Sequence, residues 1–196
     1  REDKGARSIS KISIQTGTSH GGVPGPDGKV VEVNLDFECL ENLSRIARQD
    51  YGLAGAVQHG ASTLPRDLFN KFPELETAEI HLATDFQNMI YDNELFPEDF
   101  KKEIYIHLRK KFASEKKEAD TDEQFIYKTR KKGFGEFKSK FWELSNEIRT
   151  EIGSHLQKKV EHLFTQLKVK DTLEVTKRTT PLVKVLPNLA QEIASA

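Results

Sequence analysis

The sequence predicts an α/β protein, with parallel βα units of a barrel over the first half and a long helical extension after them. Three observations predict it. Two short strands, 11–16 and 53–58, each run into a His-Gly turn, at His20-Gly21 and His59-Gly60. A third strand within 78–85 alternates, with Ile80 and Leu82 on one face and Glu79, His81 and Ala83 on the other. From Pro97 onward charged helical segments replace strands. Strands with one polar face do not suit a sheet buried between apolar layers. They suit a barrel covered outside by helices, whose polar inner residues rise toward a site at the strand ends.

The elements follow in order. Residues 1–10 form a polar lead-in. The first strand alternates Ile12 and Ile14 against Ser13 and Gln15, then meets Gly17-Thr18-Ser19 and His20. Small residues there let a backbone approach a ligand and aim its N–H groups at an anion. Pro24-Gly-Pro-Asp-Gly28 is a turn. Asp36 is the expected N-cap of a helix over roughly 37–50, with Phe37, Leu40, Leu43 and Ala47 inward and Gly52 as its stop. A helical turn near Pro65 leads to the third strand. Thr84-Asp-Phe-Gln87 has the form of a capping box and opens a helix to about Tyr91. The βα, βα, βα order implies parallel strands.

Helices are then expected over about 97–113 and from the second capping box, Thr121-Asp-Glu-Gln124. Beyond Gly135 one apolar stripe runs Phe137, Phe141, Leu144, Ile148, Ile152, Leu156, Val160, Leu163, Leu167. Its spacing of three or four predicts a single helix over 136–167, an arm that packs on a neighbouring subunit. Trp142 beside the stripe reads as packing, and the tail from Lys170 as irregular. The organisation expected is residues 1–95 for the βα units and 96–196 for the oligomerising extension.

Composition excludes several classes. Lysine plus arginine number 30 and aspartate plus glutamate 31, so no net field draws nucleic acid or an acidic membrane. No apolar run approaches the ~20 residues that span a bilayer. The single cysteine, Cys39, cannot form an internal disulfide and fits a reducing, cytoplasmic setting. The chain starts at Arg1 with its first strand close behind, and reads as the later part of a longer polypeptide.

These segments resemble a family. Gly-x-x-His20-Gly, His59-Gly-Ala-Ser62 and x-x-Ala-Thr84-Asp85 look like the ends of the last three strands of class II, zinc-dependent fructose-bisphosphate aldolases. The resemblance implies the last three βα units of a TIM (β/α)8 barrel followed by a helical extension, with Zn2+ as cofactor. It implies His20 and His59 as metal ligands, and Gly21, Gly60, Ser62 and Thr84 around the phosphate of dihydroxyacetone phosphate. Tyr127-Lys-Thr-Arg130 resembles the family's Tyr-Asp-Pro-Arg, whose arginine crosses to the adjacent subunit to hold the other phosphate. His81 and Ala83 stand where the family usually has Asn and Asp, so His81 and Asp85 are possible substrate contacts and the sugar is left open. The catalytic carboxylate and remaining zinc ligands lie on earlier strands, which this chain does not supply.

The implied reaction is aldol cleavage of fructose 1,6-bisphosphate to two triose phosphates in a homo-oligomer. A tagatose-type bisphosphate or a non-catalytic phosphosugar-binding barrel are the alternatives. The chemistry suits the residues. Zinc held by neutral imidazoles polarises a ketone oxygen as a Lewis acid. Loop N–H groups and the Ser62 and Thr84 hydroxyls cradle a phosphate. Asp85 reads as a capping or pairing residue. Arg130 reads either as a planar phosphate fork or as one more cation in the basic run 128–132. His107, His155 and His162 read as surface residues.

Overall fold

The computed structural model describes residues 9–18, 22–31 and 34–182. β1 (Ile12–Ile14) leads to a small antiparallel hairpin of β2 (Val23–Pro24) and β3 (Val30–Val31). α1 (Phe37–Gln49) follows, then β4 (Ala56–Gln58), α2 (Lys71–Glu74), β5 (Glu79–Ile80) and α3 (Thr84–Tyr91). The extension contains α4 (Glu98–Lys111), α5 (Asp122–Thr129), α6 (Gly133–Glu136), α7 (Lys138–Trp142), α8 (Asn146–Gln166) and α9 (Leu173–Thr179). The fold is α/β.

β1, β4 and β5 form one sheet in that spatial order, and both pairings are parallel. Register places Ser13, Val57 and Glu79 in one row across the strands, and Ile14, Gln58 and Ile80 in the next. Because neighbouring rows face opposite sides, the second row faces the helices. Ile14, Ile80 and Leu82 accordingly pack on a core of Leu35, Leu40, Phe69 and Phe72. The opposite face carries Lys11, Ser13, Glu79 and His81, none of them buried, around Val57 of the central strand, which is buried. The alternation expected from sequence is therefore present in β5. It fails at Ile12, which shares parity with Ile14 yet is exposed at the start of its strand.

Local signals explain the helix starts. Asp36 caps α1 by accepting the N–H of Cys39 at 2.9 Å. Within α1, Ser44 is buried while Leu43 is exposed, because the Ser44 hydroxyl accepts the N–H of Ala56 (3.1 Å) and donates to the carbonyl of Glu76 (2.9 Å). Thr121 and Gln124 form the expected capping box at α5. The same residues hold the hairpin, since Thr121 donates to the carbonyl of Pro26 and Gln124 to that of Pro24, each at 2.8 Å. At α3 the box is absent. Ala83 is the N-cap and Thr84 is already helical.

The expected arm is corrected. The stripe is broken: Phe137 lies between α6 and α7, Phe141 in α7 and Leu144 between α7 and α8, and α8 starts afresh where Ser145 accepts the N–H of Ile148. Phe137, Phe141, Leu144, Ile148, Ile152 and Leu156 pack against the chain's own second core, around Tyr91, Phe96, Phe100, Ile104 and Phe125. Leu163 and Leu167 reach the first core. The chain's own surface covers most of the stripe, so the reason for a second protomer along it falls away. The two segments divided at residue 95 share packing through α8. Trp142 is 70% exposed, with the Lys138 ammonium over its ring, rather than buried in packing.

Gly133 shows how tight the second core is. A Cβ there would meet the Tyr91 hydroxyl at 2.5 Å and Ile104 at 2.8 Å. Gly133→Ala should cost about 2 kcal/mol, in the range for overpacking. Urea denaturation reads it, and an unchanged midpoint would show that this contact relaxes freely.

Candidate functional site

The site is a cleft at the C-terminal ends of β4 and β5, with a volume of about 470 Å3. It is lined by His59, Gly60, Ser62, His81, Ala83 and Thr84 among others. The chain turns out of β4 at Gly60, whose φ of 72° is a left-handed conformation that glycine adopts at little cost. A 3-10 turn, Ala61–Thr63, then buries Ser62, and its hydroxyl accepts the N–H of Ala83 at 2.9 Å. That bond ties the turn after β4 to the start of α3. No side chain caps α3, so the N–H groups of its first turn are left for another acceptor.

Beneath the cleft, Gln58 is fully buried at the last residue of β4. It accepts a hydrogen bond from the Thr16 hydroxyl at 2.7 Å and donates to Thr18 at 2.9 Å. Thr18 in turn donates to the His59 carbonyl at 2.8 Å. This polar knot fixes the ends of β1 and β4 against each other. Sequence reading missed Gln58, although a lone amide closing an apolar strand is a visible signal.

The two described histidines of the cleft are neighbours. The rings of His59 and His81 have centroids 4.3 Å apart and are tilted by 39°. His81 Nε2 contacts the Glu79 carboxylate, and the other Glu79 oxygen accepts from the Lys11 ammonium. Lys11, and then His81, hold the Glu79 carboxyl below the usual carboxylate range. The expectation named His81 as a substrate contact without seeing that Glu79 and Lys11 stand behind it. His20 and Gly21 lie outside the described residues. Among the described residues no group of three or more His, Cys, Asp or Glu side chains gathers around a common point as metal ligands.

Asp85 lies outward of this cleft, in the first turn of α3, and pairs with Lys159 of α8 at 2.6 Å. The role expected for Asp85 is a cap or pair within its own loop; the partner is instead Lys159, remote in sequence on α8. The side chain of Lys159 is only 5% exposed and lies over the Phe69 ring.

Arg130 is corrected. It is neither a fork reaching a neighbouring subunit nor a solvated cation. Its residue is 8% exposed, and its two Nη atoms bind Asp92 at 2.7 and 3.1 Å. Asn88 accepts a further hydrogen bond at 2.5 Å, and the guanidinium lies 5.5 Å from the centroid of Tyr91 and 5.0 Å from that of Tyr127. The bidentate geometry that suits a phosphate suits an internal carboxylate equally well. Arg130 nonetheless lines a small cleft of about 120 Å3 with Gly22, Thr84, Lys128 and Lys131. Thr84 thus borders both clefts, and the second is cationic within one chain.

Comparison with protein-family models, curated proteins and solved structures finds no match for this chain. Among the described residues, no helix is long and apolar enough to cross a membrane.

Proposed function

We propose that this chain is the C-terminal part of a zinc-dependent aldolase barrel acting on a phosphorylated ketose. What supports the reading is that His59, Gly60, Ser62 and Thr84, which the family resemblance implies as site residues, border one cleft at the C-terminal ends of parallel strands. Ligand sites in such sheets lie at that end. The imidazole of His59 would offer one nitrogen donor to a borderline divalent cation, and the cleft beside it is lined by small residues and hydroxyls.

In this reading His59 and His20 hold Zn2+, which supplies Lewis-acid polarisation of a carbonyl when bound. The chain's own residues bind and orient. Ser62 and Thr84 offer hydroxyls at the uncapped first turn of α3, where the partial positive charge of the helix end favours a phosphate dianion. The Gln58 knot keeps the two strand ends in register, so the metal side and the phosphate side hold a fixed distance. The acid–base group belongs to strands outside this chain.

The experiment is calorimetric titration of dihydroxyacetone phosphate into the zinc-loaded chain. Thr84→Ala should weaken binding about tenfold, equivalent to the roughly 1.5–3 kcal/mol of a hydrogen bond to a charged group at its lower end. Equal affinity in parent and variant would reject the phosphate cradle.

A further inference from the structure

We infer that Lys159 is a positioning residue for the strand-end cleft: by drawing the Asp85 carboxylate out toward α8, it keeps the first turn of α3 open to an anionic ligand. The inference rests on the phosphate reading of that cleft and gives a residue of the helical extension a part in it.

Two separate features of α3 have one explanation. The helix carries an acidic residue, Asp85, at its second position, yet no side chain caps it. A carboxylate so placed is attracted to the N–H groups of its own turn, which carry the partial positive charge of the helix end. Asp85 instead pairs with Lys159 at 2.6 Å. The open helix end and the remote ion pair are thus one arrangement, in which a residue 74 positions away holds the competing anion aside.

The surroundings of Lys159 suit that role. Its buried ammonium needs a counter-charge, because a lone charge out of water is costly. It lies 5.7 Å from the ring centroid of Phe69, which is itself fully buried, so the stem is fixed by the first core. One turn earlier on α8, His155 shares a hydrogen bond with Asn93 at 3.2 Å, just beyond the other end of α3. α8 therefore grips α3 near both ends. The hold continues into the cleft, since α3 packs on the 61–63 turn and Ser62 there accepts the N–H of Ala83. Lys159 lies outside the lining of the cleft, so it acts through Asp85.

Removing the lysine's charge leaves an uncompensated carboxylate beside the open turn. That carboxylate takes the N–H groups a phosphate would use, and its charge repels the dianion.

The test is calorimetric titration of dihydroxyacetone phosphate into the zinc-loaded parent, Lys159→Met, Lys159→Gln and the double variant Lys159→Met, Asp85→Asn. Far-ultraviolet circular dichroism confirms that each is folded. Lys159→Gln keeps a polar stem and removes only the charge, so it answers the question even if Lys159→Met does not fold. Lys159→Met should bind about tenfold more weakly and Lys159→Gln about threefold, the scale of one charge at a partly buried helix end. The double variant should return to within about twofold of the parent, since it has no carboxylate to compete. A packing role alone would leave the double variant as weak as Lys159→Met, because both lack the same stem. That result, or parent-like affinity in Lys159→Gln, overturns the inference while the phosphate reading stands. A parent that binds no dihydroxyacetone phosphate removes both.

Discussion

Arg130→Met is expected to lower the unfolding free energy of the chain by roughly 3 kcal/mol, the scale of losing charged hydrogen bonds at a buried site. The methionine keeps much of the stem between Tyr91 and Tyr127 but releases Asn88 and both oxygens of Asp92. Asp92 keeps 60% of its side chain in solvent, so it is rehydrated rather than stranded, which holds the loss near the lower end. Tyr91 adds to the effect, because its hydroxyl donates to the Arg130 carbonyl at 2.8 Å and its phenol, raised by burial, stays neutral. Urea denaturation reads the change. A variant as stable as its parent would show that Arg130 is held in reserve for a ligand rather than spent on the fold.

Lys159→Met should cost a similar amount, about 3 kcal/mol, since removing one partner of a buried pair leaves the other charge uncompensated. Asp85 is left 31% exposed against the first turn of α3, so partial hydration limits the penalty. The decisive companion is the double variant Lys159→Met, Asp85→Asn. It removes both charges and should recover most of the loss. Single and double variants of equal stability would mean that the cost came from packing on Phe69 and not from the stranded carboxylate.

Lys159 also shows where sequence reading stopped short. The stripe was drawn through Leu156, Val160 and Leu163, yet the buried position is Lys159, and Val160 is 36% exposed. Spacings of 4, 3 and 4 through Ile152, Leu156, Lys159 and Leu163 fit a helix equally well. A lysine is passed over in such a pattern because its carboxylate partner is remote in sequence. The break before α8 was hidden for a related reason. The residues between α7 and α8 leave the apolar phase intact, so periodicity runs across them, and only the Ser145 cap marks the new start.

Other parts were legible because they are local. Three strands of one sense, the Asp36 cap and the Thr121–Gln124 box need only neighbours along the chain. His59, Ser62 and Thr84, named from the family resemblance, line one cleft because each sits just beyond the end of a neighbouring parallel strand. What stayed hidden joins distant positions. The Gln58 knot reaches back more than forty residues to Thr16, and the Lys11–Glu79 pair spans 68. Arg130 was misread because an arginine's fork looks the same in sequence whether its partner is a phosphate or an internal Asp92.

The central claim is that the cleft at the strand ends holds a metal through His59. Equilibrium dialysis of Zn2+ against the parent chain and His59→Gln tests it most directly. The account predicts one zinc per parent chain, bound more weakly on acidification because protons compete for imidazole lone pairs, and a loss of that site in His59→Gln. A parent chain that retains no zinc, or a variant that retains as much as the parent, would contradict it.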